Sequence, residues 1–168
     1  VPARNEAVNI ERCLISLLEQ SYPPEKYEII VVDDNSTDDT AFIVRGIRDK
    51  RSKLSLYHAD ELPNGWSGKN HACWTGVKHA RGDWLCFVDA DVVAQPRLLE
   101  TAMHFASSRK LGLLSLNPFQ ELVSASERCL LPGIFFAIAS SMNFKNVNNP
   151  SKPEAIANGQ FMLFNRRV

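Results

Sequence analysis

Asp89 and Asp91 stand directly after the apolar run "WLCFV", Trp84 to Val88. In extended chain, residues two apart project to the same side, so both carboxylates aim at one volume. Unpaired, they repel and raise each other's pKa. A hard cation removes the conflict. Mg2+ or Mn2+ accepts one or two carboxylates and keeps its other positions for water and phosphate oxygens. The pair is therefore expected to hold a metal, and the metal a diphosphate. The plainer alternative has Asp91 capping a helix that starts near Pro96 and Asp89 pairing with a surface Arg. An isolated D-x-D favours that alternative, but a position at the carboxyl end of a strand favours the metal.

Two other polar clusters invite a chemical reading. In "VVDDNSTDD", Asp33, Asn35, Thr37 and Asp39 imitate the odd positions of a calcium loop. Asp38 stands where that loop needs Gly and Val44 where it needs Glu, so calcium is excluded. Ser36 and Thr37 read as caps of a strand–helix turn. Asp34 is left over, and a strand-end carboxylate can accept a nucleobase N–H. "NGWSGKN" imitates a phosphate loop, but Pro63 replaces its first Gly and Asn70 its hydroxyl residue. Lys69 still begins a helix, where anions are favoured.

These residues need a frame. "NIERCLISLLEQ" places Ile10, Cys13, Leu14, Leu17 and Leu18 at helical spacing, with Asn9 as cap and Pro23-Pro24 as stop. "YEIIVVDD" reads as a buried strand. "STDDTAFIVRGIRDK" reads as a helix with acidic residues in its first turn. Strand "KLSLYHA", helix "NHACWTGVKHA", strand "WLCFVDAD", helix "QPRLLETAMHFASS" and strands "LGLLSLNPF" and "ANGQFMLF" follow. Strands joined by helices predict a Rossmann-like α/β domain with a mainly parallel sheet. Such sheets bind ligands beyond the carboxyl ends of their strands. The "ARNE" loop, Asp33-Asp34 and Asp89-Ala90-Asp91 all fall there.

The 168 residues suit one domain. Nineteen basic and nineteen acidic side chains balance, which gives no case for a nucleic-acid partner. Cys13, Cys73, Cys86 and Cys129 lack C-x-x-C or zinc spacing and read as buried reduced thiols. "VPARNE" and "GQFMLFNRRV" look like interrupted strands, so the sequence is expected to be incomplete at both ends. "CLLPGIFFAIASSMNF" is shorter than a membrane span and contains Pro132 and Gly133. It reads either as a buried core helix or as an apolar helix lying in a membrane interface.

The segments "VPARNEAVNIERCLISLLEQSYP", "YEIIVVDDNSTDDT", "GWSGKNHACWTGVKHARGDWLCFVDADV" and "ANGQFMLFNRR" together resemble the family 2 glycosyltransferases of GT-A fold. They are most similar to the membrane-associated enzymes of the hopanoid, carotenoid and ceramide type. The resemblance implies a partial catalytic domain over 1–168, with 1–92 the nucleotide-sugar half and 93–168 the start of the acceptor half. It implies that Pro2, Ala3, Arg4 and Glu6 line the nucleotide and that Asp34 recognises the base, usually uracil. Lys69 would approach the donor, and Asp89, Ala90 and Asp91 would carry the D-x-D, with Asp91 the firmer ligand for Mg2+ or Mn2+. Asn158, Gly159 and Gln160 would lie between donor and acceptor. The family's general base falls beyond Val168, so the fragment is expected to bind donor without necessarily turning over.

The implied reaction is inverting sugar transfer from a UDP-sugar to a hydroxyl acceptor, a lipid in chemical class, at the cytoplasmic face of a membrane. The alternatives are a nucleotidyltransferase, which would normally show a Gly-rich loop in place of "ARNEAVN", and a non-catalytic sugar-nucleotide-binding domain.

Overall fold

The computed structural model describes residues 1–47, 53–141, 144–149, 151–153 and 156–167. The β-branched run "EIIVVD" forms β2 (Glu28–Asp33), which pairs in parallel with β1 (Pro2–Ala3) and β3 (Lys53–His58). Pro2 lies opposite Val32 and Ala3 opposite Asp33, so both chains leave the sheet on one edge. Helix α1 (Ile10–Leu18) buries Ile10, Cys13, Leu14 and Leu17 of the stripe its spacing predicts, and leaves Leu18 half-buried. That stripe packs on Ile29 and Val31 of β2. Helices α2 (Thr40–Gly46) and α3 (Gly68–His79) complete the crossovers. Residues 48–50 of the expected second helix lie outside the described residues.

A second sheet has the order β4-β6-β5, from β4 (Trp84–Val88), β5 (Leu113–Leu116) and β6 (Phe161–Asn165). Here β6 runs antiparallel to both neighbours, which departs from the parallel pattern of the first sheet. A parallel return needs a crossover helix packed back on the sheet. The helix between β5 and β6 is α5 (Ala125–Ser141), and none of its residues is buried. The core-helix reading of this stretch is thereby overturned. Phe136 is 75% exposed and Ile134 52%. Met142 and the Phe144 side chain lie outside the described residues, and a short α6 (Phe144–Val147) follows.

Some local expectations change. Asn9 occupies the N-cap of α1, but its amide donates to Glu6 Oε2 instead of accepting from the helix. The acidic residues expected in the first turn of α2 lie ahead of it, and α4 (Leu98–Ser108) starts after Pro96. The segment after Asp91 is pinned to α1. Ser16 Oγ accepts from Ala94 N at 2.9 Å, and the Gln20 amide donates to Gln95 O and accepts from Leu99 N. Gln20 is buried, so losing these bonds costs about 1–3 kcal/mol.

All four thiols are free. Burial pushes Cys13 and Cys86 up to about 12, which suits inert packing groups, whereas Cys129 on α5 is exposed. No helix among the described residues is long and apolar enough to cross a membrane.

Candidate functional site

Two loops leave the carboxyl ends of β1 and β2 and are stitched to each other. Asn5 N donates to Ser36 Oγ at 3.0 Å, and Asn5 Oδ1 accepts from Thr37 N at 2.8 Å. Asn5 and Asn35 adopt φ of 56° and 55°, a left-handed conformation that Asn tolerates better than most residues. Thr40, fully buried, accepts from Glu6 N and donates to Asp38, whose other oxygen accepts from Ala7 N. Ser36 and Thr37 thus bind the neighbouring loop and are not helix caps. Asp38, which takes the Thr40 amide, is what orders the start of α2. The Thr40 hydroxyl holds the Asp38 carboxyl below its ordinary range.

The two aspartates that end β2 have separate fates. Asp33 Oδ2 lies 3.1 Å from His58 Nδ1, and Arg45 lies 2.9 Å from His58 Nε2. Arg45 can only donate, so Nε2 accepts and Nδ1–H donates to Asp33. Asp33 is a structural anchor. Asp34 is buried as well, yet its side chain has one charged neighbour, Arg4, at 3.6 Å. Its amide donates to Ala3 O at 2.8 Å, which ties it to β1. Arg4 itself is exposed.

The first turn of α3 links this carboxylate to the next. A Cβ on Gly68 would collide with Asp34 Oδ2, so glycine is what lets the helix begin against the carboxylate. Ser67 caps the turn, accepting from Asn70 N. Lys69 then reaches across to Asp89, with Nζ 2.7 Å from Oδ1 and 2.8 Å from Oδ2. Asp34 and Asp89 are therefore joined through two consecutive residues, Gly68 and Lys69.

Ala90 is buried, whereas Asp91 is exposed at the turn closed by Val92 N and Asp89 O. Asp91 neither caps α4 nor accepts a hydrogen bond from any described residue, and Asp89 pairs with Lys69 instead of an Arg. No group of three or more His, Cys, Asp or Glu gathers among the described residues. That donor set fits a cation completed by phosphate oxygens, and does not fit one caged by protein alone. Asp91 is free for it, while Asp89 is shared with Lys69.

The turn before β6 arrives beside this pair. Gln160 O accepts from Asp89 N at 3.2 Å. Asn158 Nδ2 donates to Asn117 Oδ1, Asn158 N donates to Ser115 Oγ, and Gln160 Oε1 accepts from Gln120 Nε2. Gly159 is exposed between them. Glu6, which accepts from Asn9, and Pro2 and Ala3, which pair with β2, complete the expected set. The expectation from sequence missed Gly68, Thr40 and Gln120. Gly68 had a legible signal, a glycine just before the helical lysine.

The whole chain, 1–168, matches the model of "Glycosyl transferase family 2". The chain belongs to that family. This membership sets aside the nucleotidyltransferase alternative. Among curated relatives, a 4,4'-diaponeurosporenoate glycosyltransferase of Staphylococcus haemolyticus is 31% identical over 99% of this family 2 chain and 43% of its own length. The chain thus spans less than half the length of that relative. Its Staphylococcus aureus namesake is 36% identical over 71% of this chain and 30% of its own. Of solved structures, mannosyltransferase PcManGT from Pyrobaculum calidifontis, in complex with GDP-Man and Mn2+, aligns with TM-score 0.68 and 27% identity. It covers 99% of this chain and 43% of its own. S. aureus TarS in complex with UDP aligns with TM-score 0.56 and 28% identity over 73% of this chain and 37% of its own. The α/β arrangement is that of the GT-A glycosyltransferases.

Proposed function

We propose that the whole protein transfers a sugar, with inversion, from a UDP-sugar to a hydroxyl of a lipid acceptor, with Mg2+ or Mn2+ as cofactor. The observation that carries this reading is the start of α3, where Gly68 meets Asp34 and Lys69 holds Asp89. One helix turn thereby spans a base-reading carboxylate and a diphosphate-reading cluster. The GDP-Man complex of PcManGT and the UDP complex of TarS support a nucleotide-sugar donor, and the carotenoid-acid name of the staphylococcal relatives supports the lipid acceptor.

Asp34 accepts the base N–H while Pro2, Ala3, Arg4 and Glu6 wall the nucleotide. Lys69 moves part of its charge from Asp89 to the donor diphosphate and stabilises the negative charge that grows on departure. Asp91, with Asp89, would hold the cation, which when bound would supply further positive charge at that diphosphate. Asn158, Gly159 and Gln160 lie at the acceptor side of Asp89. The general base comes from the part of the protein outside 1–168. The exposed apolar face of α5 brings the site to a membrane surface, its cytoplasmic face in this reading.

Base reading by Asp34 is tested with Asp34→Ala. The unmodified chain is expected to prefer UDP to ADP, and the variant to lose most of that preference, because an unpaired buried polar group is what rejects the wrong base. Equal binding of UDP and ADP by the unmodified chain would refute the assignment.

A further inference from the structure

On the β6 side of Asp89, four neutral amide side chains gather: Asn117, Gln120, Asn158 and Gln160. Val88 lies opposite Phe161 in the ladder of β4 with β6, and Leu116 lies opposite Phe161 in that of β5 with β6. One step past both ladders, Gln160 is therefore flanked by Asp89 on one side and Asn117 on the other. The bond from Asp89 N to Gln160 O, 3.2 Å, holds the first of these contacts. An Asx turn sets Gln160 itself, because its N–H donates to Asn158 Oδ1 at 2.9 Å. Asn158 N donates to Ser115 Oγ at 2.7 Å, and Ser115 Oγ donates back to Asn158 O at 3.1 Å. The turn is thus tied to β5 and to the D-x-D at once.

Donor and acceptor accounting fixes how each amide is used. An amide nitrogen carries two protons to donate, and its oxygen only accepts. Asn158 Nδ2 donates to Asn117 Oδ1 at 2.6 Å and to Gln160 Oε1 at 3.3 Å. Gln120 Nε2 donates to Pro118 O at 3.2 Å and to Gln160 Oε1 at 3.0 Å. Gln160 Oε1 thus takes two donors, and the protons of Gln120 and Asn158 are spent. Left over, with no partner among the described residues, are Gln160 Nε2 with both its N–H groups, Gln120 Oε1 and Asn117 Nδ2. Gln120 and Gln160 are half-buried, so their unused groups carry a desolvation cost that a ligand relieves.

Uncharged N–H donors beside a carbonyl acceptor suit hydroxyl groups, each of which both donates and accepts. A diphosphate calls for positive charge, which Lys69 offers at Asp89, and a lipid chain would leave the amides unpaired. We propose, resting on the nucleotide-sugar reading above, that Gln160 and Gln120 read hydroxyl groups of the sugar being transferred. Gln160 Nε2 donates to one hydroxyl oxygen, and Gln120 Oε1 accepts from a hydroxyl. Gln120, on the loop after β5, also orients Gln160 by filling its oxygen, so the two act as one specificity element. The donor's sugar is assigned because Gln160 is bonded to Asp89, the residue that Lys69 joins to the diphosphate side. A sugar that lacks or inverts the matching hydroxyl leaves a half-buried amide unpaired and is rejected.

Two variants separate the roles. Gln160→Glu keeps an oxygen for Gln120 and Asn158 to fill and replaces the Nε2 donors with a second oxygen. Gln120→Met removes the acceptor and the hold on Gln160 at similar length. Calorimetry in Mn2+ measures UDP, UDP-glucose and UDP-N-acetylglucosamine against the unmodified chain and both variants. The readout is the dissociation constant of each UDP-sugar divided by that of UDP, in which a loss of folded chain or of diphosphate binding cancels. This ratio is expected to rise about tenfold in each variant for at least one of the two sugars, the effect of one hydrogen bond left unmade. An unchanged ratio for both sugars in either variant, with UDP still bound, would overturn the proposal and leave the nucleotide-sugar reading standing. Failure of the unmodified chain to bind UDP would overturn that reading, and this proposal with it. Methyl glucoside added with UDP, followed by saturation-transfer NMR, tests the other source of sugar hydroxyls, an acceptor that carries a sugar. Glucoside binding that both variants abolish, with the ratios unchanged, would assign the amides to the acceptor and overturn the donor assignment.

Discussion

Lys69 occupies both carboxylate oxygens of Asp89, at 2.7 and 2.8 Å, while Asp91 two residues on accepts from no described residue. The two halves of the D-x-D are therefore unequal in their partners. Asp89 is ion-paired with Lys69, whereas Asp91 has no such partner among the described residues.

This inequality predicts an order among variants. Asp91→Asn is expected to abolish cation-dependent UDP binding, and Asp89→Asn to weaken it less. Lys69→Met is expected to tighten Mn2+ binding in the absence of nucleotide, because both Asp89 oxygens become available. The same change should weaken UDP by about tenfold to a hundredfold, the value of one charge-assisted hydrogen bond. Mn2+ titration followed by electron paramagnetic resonance separates the two effects. Looser Mn2+ binding by Lys69→Met would show that the lysine supports the cation site instead of sharing it.

Asp38 gives a pH dependence. Its carboxyl lies below the ordinary value of 3.8 because the Thr40 hydroxyl, first among several hydrogen bonds, favours the charged form. A group depressed in the folded state contributes stability above its unfolded pKa and loses it as pH falls through the folded value. The stitching of the β1 and β2 loops is therefore intact at neutral pH and loosens only below 3.8. NMR of the Ala7 and Thr40 amides should show both shifting together below that pH. In Asp38→Asn the transition should be absent. A transition at the same pH in that variant would assign it to another carboxylate.

The strand ends were legible because their signal is local. An apolar run followed by Asp89 and Asp91, and a β-branched run followed by Asp34, mark the carboxyl ends of strands without knowledge of any contact. Lys69 was legible as a helix start. The direction of β6 was not, since a five-residue apolar strand reads alike in either pairing. Gly68 was visible as a glycine, but its fit against Asp34 depends on a contact thirty-four residues away in sequence. Ser36 and Thr37 had the composition of caps, and only the approach of the Asn5 loop gave them other partners. The exposure of α5 was undecided for a physical reason. Apolar residues all around a helix specify that it leaves water, and say nothing of what covers it.

Helix α5 supplies the membrane prediction. Phe135 and Phe136 are 42% and 75% exposed, so replacing them removes little packing from the domain. The unmodified chain is expected to float with liposomes, and the double variant Phe135→Ser, Phe136→Ser to stay in the soluble fraction with an unchanged melting temperature. Unfolding of the double variant would instead make α5 a structural element, and equal flotation of both would move any membrane contact elsewhere.

The central claim is that the edge formed by Asp34, Lys69, Asp89 and Asp91 binds a nucleotide diphosphate together with a divalent cation. Isothermal calorimetry of UDP against the chain, with Mn2+ or Mg2+ and then with excess chelator, tests it most directly. The account predicts saturable binding with either cation and at least a tenfold loss of affinity in chelator. Equal affinity in the two conditions would contradict it.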